Sequence, residues 1–215
     1  DIRASVGTST SPTSTGTKAV TGVGFQPKVV LPFSNFNAAA GADTNAYFGF
    51  GCKANAQAGI GVASDTGLTT SLTARRHDNS KSAMHMNGSG SLFTSLDITS
   101  LDSDGFTGSW VNNATARILN HICLGGADLE VSLVQCQMNG TNAAQSFAHG
   151  LSGAPTGVLF FGASCLTAPP STTGNLLASI GAWAGGNQFG AFVVSMNGVT
   201  TTGARRMLST SKVAG

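Results

Sequence analysis

Compared with itself, the chain repeats. TGVGFQPKVVLPFS at 21–34 is matched by HGLSGAPTGVLFFG at 149–162, with Gly22 over Gly150, Pro27 over Pro155, Val30-Leu31 over Val158-Leu159 and Phe33 over Phe161. FGFGCKA (48–54) lies over ASIGAWA (178–184), AQAGIGVAS (56–64) over NQFGAFVVS (187–195), and TARRH (73–77) over GARRM (203–207). Four blocks keep their order at shifts of 128 to 131 residues, which a chance match does not do four times. A chain built this way folds as two related units, so the question becomes what one unit is.

The repeated blocks read as strands. Val29-Val30-Leu31 after Gln-Pro-Lys is a short apolar strand entered through a proline turn, and Val158 to Phe161 is its partner. Ala46 to Lys53 and Gly59 to Ala63 alternate apolar residues with glycine, which leaves one strand face bare for close approach by another sheet or chain. Leu92 to Leu101 reads as a strand pair with polar interruptions, Asp102-Ser103-Asp104-Gly105 as a turn, and Phe106 to Val111 as a strand. Ala116 to Leu124 and Leu129 to Val134 complete the set. No stretch of ten or more residues carries a 3.6 period. Composition agrees: 9% of residues are charged, against roughly 25% in an average domain, and Glu130 is the single glutamate. Solvent faces of helices are normally made of Glu, Lys, Arg and Gln. The expected fold class is therefore all-β, two tandem repeats of a jelly-roll-like β-sandwich module with little helix.

Three segments are expected. Residues 1–17 are Ser/Thr/Gly-rich and read as an extended N-terminal arm rather than a packed element. Residues 18–137 form the first module and 138–215 the second, which is incomplete: it stops before any counterpart of SLDSDGF…ICLGG. Either the native chain continues for about 45 more residues, or a neighbour supplies the missing strands, since an unfinished sheet leaves open edges.

Charge and motifs exclude most activities. The net charge is +2 with no basic tract, so no electrostatic footprint for nucleic acid is present, and no apolar run is long enough for a membrane-spanning helix. Cys52, Cys123, Cys136 and Cys165 lack CxxC spacing and are expected as buried free thiols. His77, His85, His121 and His149 lack HxH or HExxH spacing, so neither a metal nor a cofactor is expected. Asp102-Ser103-Asp104-Gly105 opens like a calcium loop but has no glutamate at the twelfth position and reads as a hairpin turn. With nine acidic residues, mostly in turns, no glycosidase pair stands out, and no GxSxG elbow or GK[ST] phosphate loop occurs. No catalytic residue is assigned, and the chain is expected to be no enzyme. The N-x-[ST] sites at Asn87, Asn113 and Asn139 are what a Ser/Thr/Asn-rich chain contains by chance.

What remains is interaction. Arg75, Arg76, Arg205 and Arg206 are four of the six arginines and sit at equivalent positions of the repeat. They read either as docking groups for a carbonyl-rich or acidic partner surface, or as solvated turn residues paired with aspartates. A surface this poor in charge also suits burial against neighbours.

The blocks TGVGFQPKVVLPFS, SLDSDGFTGSW and TARILNHICLGGADLEV carry a family resemblance. They are similar to a loosely defined group of tailed-bacteriophage and prophage virion proteins, in which a GFQPK-apolar strand, a D-x-DGFT turn and a YLALGG strand recur. Here the last motif keeps only Leu124-Gly125-Gly126. The resemblance covers residues 18 to 134 and, more weakly, the second module. It implies a virion structural component, assembled in the host cytoplasm, with capsid decoration, tail and fibre roles all open. Its partners would be copies of itself and other virion proteins, with neither nucleic acid nor membrane. The alternative is a glycan-binding module for host attachment, with Trp110, Trp183 and Tyr47 as stacking surfaces for a host glycan.

Overall fold

The computed structural model describes residues 1–39, 41–112, 115–137, 143–163, 169–200 and 203–211. Among these no helix forms, and every strand pairing is antiparallel. The strands are β1 (Arg3–Thr10), β2 (Gly16–Val20), β3 (Pro27–Ser34), β4 (Ala46–Lys53), β5 (Gln57–Asp65), β6 (Leu72–Asp78), β7 (Ala83–Met86), β8 (Leu92–Asp102), β9 (Gly105–Asn112) and β10 (Ile118–Gly125). They continue with β11 (Gly157–Gly162), β12 (Ser171–Thr173), β13 (Leu176–Ala184), β14 (Asn187–Ser195) and β15 (Arg205–Ser209).

They form three sheets. A seven-stranded sheet runs β1-β10-β3-β4-β5-β6-β12, and two four-stranded sheets run β2-β9-β8-β7 and β11-β13-β14-β15. The seven-stranded sheet lies between the other two. Against the β2-β9-β8-β7 sheet it encloses the main core, where Val30, Leu119 and Cys123 meet Ala83, Leu96, Ile98, Phe106 and Trp110. Its opposite face carries Phe33, Phe50 and Ile60, which pack on Phe161, Ala163 and Ala178 of the third sheet. The first module is thus a β-sandwich. Its outer strands follow a rolled path, β1-β10-β3 in one sheet and β2-β9 in the other, as in a jelly roll, while β3 to β6 and β7 to β9 run as meanders.

The glycine alternation of β4 and β5 has the expected use. A Cβ on Gly51 would overlap the Ser82 carbonyl, and one on Gly59 would lie 2.8 Å from the Lys81 carbonyl oxygen. The chain entering β7 therefore crosses directly over the bare glycine face. The Asp102–Gly105 turn also forms, with those two residues directly opposed. Asp104 accepts the amides of Gly22 at 2.9 Å and Gly24 at 2.5 Å, tying the link between β2 and β3 to this turn. These bonds hold the Asp104 carboxyl below its usual range.

Some expectations are corrected. Residues 1–17 are extended but are no free arm: β1 pairs with β10 from Arg3↔Gly125 to Thr10↔Ile118. Val6 and the threonines favour a strand while glycine does not, and the ladder to β10 is what fixes the segment as one. Leu92 to Leu101 is one strand with a bulge near Ile98 and Ser100, not a pair. Leu129 to Val134 joins no ladder; Leu129, Val131 and Leu133 instead lay their alternating side chains over Val29, Cys52 and Ala54. The period-two pattern was real, but it served packing across a sheet face rather than hydrogen bonding within a sheet.

Candidate interaction surfaces

The four arginines fall in two different settings. Arg75 and Arg76 lie on β6, opposite Thr173 and Thr172 of β12, a strand that the second half of the chain adds to the edge of the seven-stranded sheet. Arg75 is 7% exposed and donates from Nη1 to the Asn175 carbonyl at 2.6 Å. Arg76 pairs with Asp78 at 3.0 Å and approaches the Thr172 hydroxyl at 3.4 Å. Asp78 is held below the usual carboxylate range: hydrogen bonds from Ser80 and Arg76 outweigh an opposing desolvation cost.

A polar seam continues along the start of β6. The Thr73 amide donates to Asn197 Oδ1 at 2.9 Å, and its hydroxyl donates to the Gly174 carbonyl at 2.9 Å. Ser71 exchanges backbone hydrogen bonds with Val199 and Gly198 at 2.9 and 2.8 Å. The first arginine pair thus sits on strand, not turn, and faces carbonyls and hydroxyls of its own chain.

Arg205 and Arg206 are exposed on β15, the edge strand of the third sheet, opposite Val194 and Val193. They make no ion pair among the described residues. The structure does not unite the two arginine pairs; they occupy separate sheets.

The third sheet carries a feature that single-strand reading did not reveal. Its ladders place Leu159, Phe161, Ala178, Ile180, Ala182, Phe189, Ala191, Val193 and Leu208 on one face. Phe161 and Ala178 pack on the seven-stranded sheet. Leu159, Ile180, Phe189, Val193 and Leu208 remain 42–73% exposed. Scattered exposed apolar residues are ordinary, but five on one face of one sheet form a patch of the kind that marks contact with another molecule. The alternation within 157–162 and 187–195 hints at this face, and only the register between strands assembles it.

The histidine, cysteine and glutamate side chains among the described residues each sit in their own setting. His85 is buried between Phe36, stacked at 5.0 Å, and Tyr47 and Phe93, and neither ring nitrogen has a hydrogen-bond partner. Desolvation pulls its pKa down to about 4. His121 lies edge-on to Phe106 at 5.3 Å, and burial lowers its pKa too. Cys52 and Cys123 are buried free thiols, pushed up to about 12 and about 11 by desolvation, which keeps them protonated and unreactive. Cys136 is free but exposed, a correction to the expectation of burial, and Cys165, Asn113 and Asn139 lie outside the described residues. Glu130 accepts both the amide and the hydroxyl of Ser152, at 2.8 and 2.5 Å, and is held below its usual range by them. Among the described residues no group of three His, Cys, Asp or Glu side chains could hold a metal ion.

Of the aromatics considered for sugar stacking, Trp110 is buried in the sandwich core and offers no ring face. Tyr47 donates its hydroxyl to Asp65 at 2.9 Å, and Trp183 is half-buried on β13.

No known protein family, curated protein or solved structure matches this chain.

Proposed function

We propose that this chain is a non-enzymatic structural component of a phage virion, a capsid decoration or a tail or fibre protein. It works by associating with copies of itself and with other virion proteins, and its place is the particle, assembled in the host cytoplasm. The observation that carries the reading is the exposed apolar face of the β11-β13-β14-β15 sheet, ending in the unpaired edge β15. A protein with so few surface charges has little else to keep such a face in water. Contact with another protein removes it from solvent.

The reading is supported also by what the charged groups do. Asp104, Asp78, Arg75 and Glu130 are spent on joining turns and strands. The test is the mass of purified protein by light scattering, followed by co-sedimentation with tailed-phage particles. Oligomers that bind particles are the expected result. A stable monomer with no affinity for particles sinks the proposal.

A further inference from the structure

The two meanders can be superimposed by register alone. The first runs β3-β4-β5-β6 and the second β11-β13-β14-β15. Gly51 faces Gly59 across the central hairpin of the first, and Gly181 faces Gly190 in the second. Asn45 Oδ1 accepts the Thr66 amide at 2.9 Å, and Asn175 Oδ1 accepts the Asn197 amide at 2.9 Å. The next residues, Gly67 and Gly198, share left-handed φ values of 76° and 72°. On the last strand the register sets Arg75, opposite Val62, at the place of Arg206, opposite Val193, one residue on from the sequence match.

Within the chain, the second module docks on the first through Thr172 to Asn175 and Met196 to Val199, which meet β6. Ala178 covers Phe50 and Ile60 at the same junction. Most groups that do this in the second module have an open equivalent in the first: Ala42 to Asn45, Asp65 to Leu68, and Phe48, while Phe161 corresponds to Phe33, which already packs within the chain. Ala42, Asp43, Phe48 and Leu68 are exposed. The main receiving groups of the first module have equivalents in the second: β15 for β6, and Ile180 and Ala191 for Phe50 and Ile60. β15 and Ile180 are exposed too. The chain therefore presents open docking groups in its first module and open receiving groups in its second.

We infer that a second copy of this chain docks its first module, through residues 42–45 and Phe48, onto β15 and Ile180, repeating between chains the junction that joins the two modules within one. This rests on the self-association proposed above and specifies its geometry. Charge agrees with the register. Thr173 stands opposite Arg75, so Asp43 stands opposite Arg206, and a Thr–Arg pairing inside the chain becomes an ion pair between chains. The added strand satisfies the open edge of β15, while Phe48 covers Ile180. The contact is head-to-tail, because docking and receiving surfaces differ, so it builds a ring or a filament rather than an isolated two-fold dimer.

A charge swap tests this. Arg206→Asp and Asp43→Arg are both surface changes, and unchanged circular dichroism would verify that each variant folds. Each alone should raise the dissociation constant for self-association at least about tenfold, because like charges then face each other. Mixed together, the two variants should recover assembly: one junction is then wild type and the other has its charges exchanged. Light scattering reads all four samples. If the wild type oligomerises and neither variant changes its mass, this junction is wrong while self-association stands. If the wild type is a monomer throughout the concentration range, both readings fall.

Discussion

The two meanders have the same strand order and opposite surroundings. In the first, the chain entering β7 covers the glycine face and the third sheet covers the other, so Phe50 and Ala58 are 8% and 3% exposed. Their equivalents in the second, Ile180 and Phe189, are 42% and 49% exposed. Arg75 is buried against a carbonyl, and Arg205 lies open to water. Burial at these positions is decided by what neighbours a strand acquires, not by the strand's own residues. A meander is a half-built object, and the two halves of this chain show it finished and unfinished.

The comparison can be broken most severely at Gly51. Valine there would overlap the Ser82 carbonyl and lie within 2.6 Å of the Ala58 carbonyl oxygen. Gly51→Val should cost about 4 kcal/mol or more by chemical denaturation. Gly157→Ala in the second meander, whose nearest contact would be 3.6 Å away, should be tolerated. If both were tolerated, the tight approach of the β7 segment would be refuted.

Core truncation comes next. Leu96→Ala removes a fully buried side chain from the sandwich and should cost about 3 kcal/mol in urea unfolding. Leu208→Ala on the open face should stay within about 0.5 kcal/mol for the unassembled chain. An equal cost at both positions would mean that the open face is covered in the free protein.

Acid should act on the first module. Its buried His85 takes up a proton only near pH 4, whereas the unfolded chain takes one near pH 6.5. The unfolded state therefore binds more protons in that interval, and stability declines as pH falls from about 6.5 to about 4. The loss from this residue reaches up to about 3 kcal/mol, then levels off. His77 and His121 shift in the same direction through burial and add to the slope. His85→Phe should flatten the profile measured by thermal unfolding. A profile unchanged by that substitution would contradict the buried neutral ring.

The smallest of these effects concerns the seam between modules. Arg75→Met leaves the Asn175 carbonyl without its charged donor and should cost about 2 kcal/mol, read as faster proteolysis between residues 169 and 175. Arg205→Met in the unassembled chain should change nothing measurable.

Much of the fold was legible from pattern. The glycine alternation at Ala46 to Lys53 marks β4 to its ends, and Asp102 to Gly105 marks its hairpin. What stayed hidden depends on partners. β1 has little apolar signature because backbone groups, with one Thr8–Asn120 side-chain bond, join it to β10, and β12 is three polar residues placed by the edge of β6. The arginine pairs were visible, but not that one pair is enclosed and the other open, because that difference lies in tertiary neighbours. The open face was only hinted at for the same reason: Leu159, Ile180 and Phe189 come together once three strands are in register.

The placement of β12 bears on how the protein is made. The hairpins β4–β5 and β13–β14 join near neighbours in sequence and can form early, whereas β1 waits for β10 and β6 waits for β12. During synthesis the first module therefore emerges with its β6 edge open, well before residues 171–173 leave the ribosome. In a crowded polysome, an identical strand from an adjacent nascent chain fits that edge as well as the chain's own. Slow translation through the second module would lengthen this interval, and with it the yield of intertwined products.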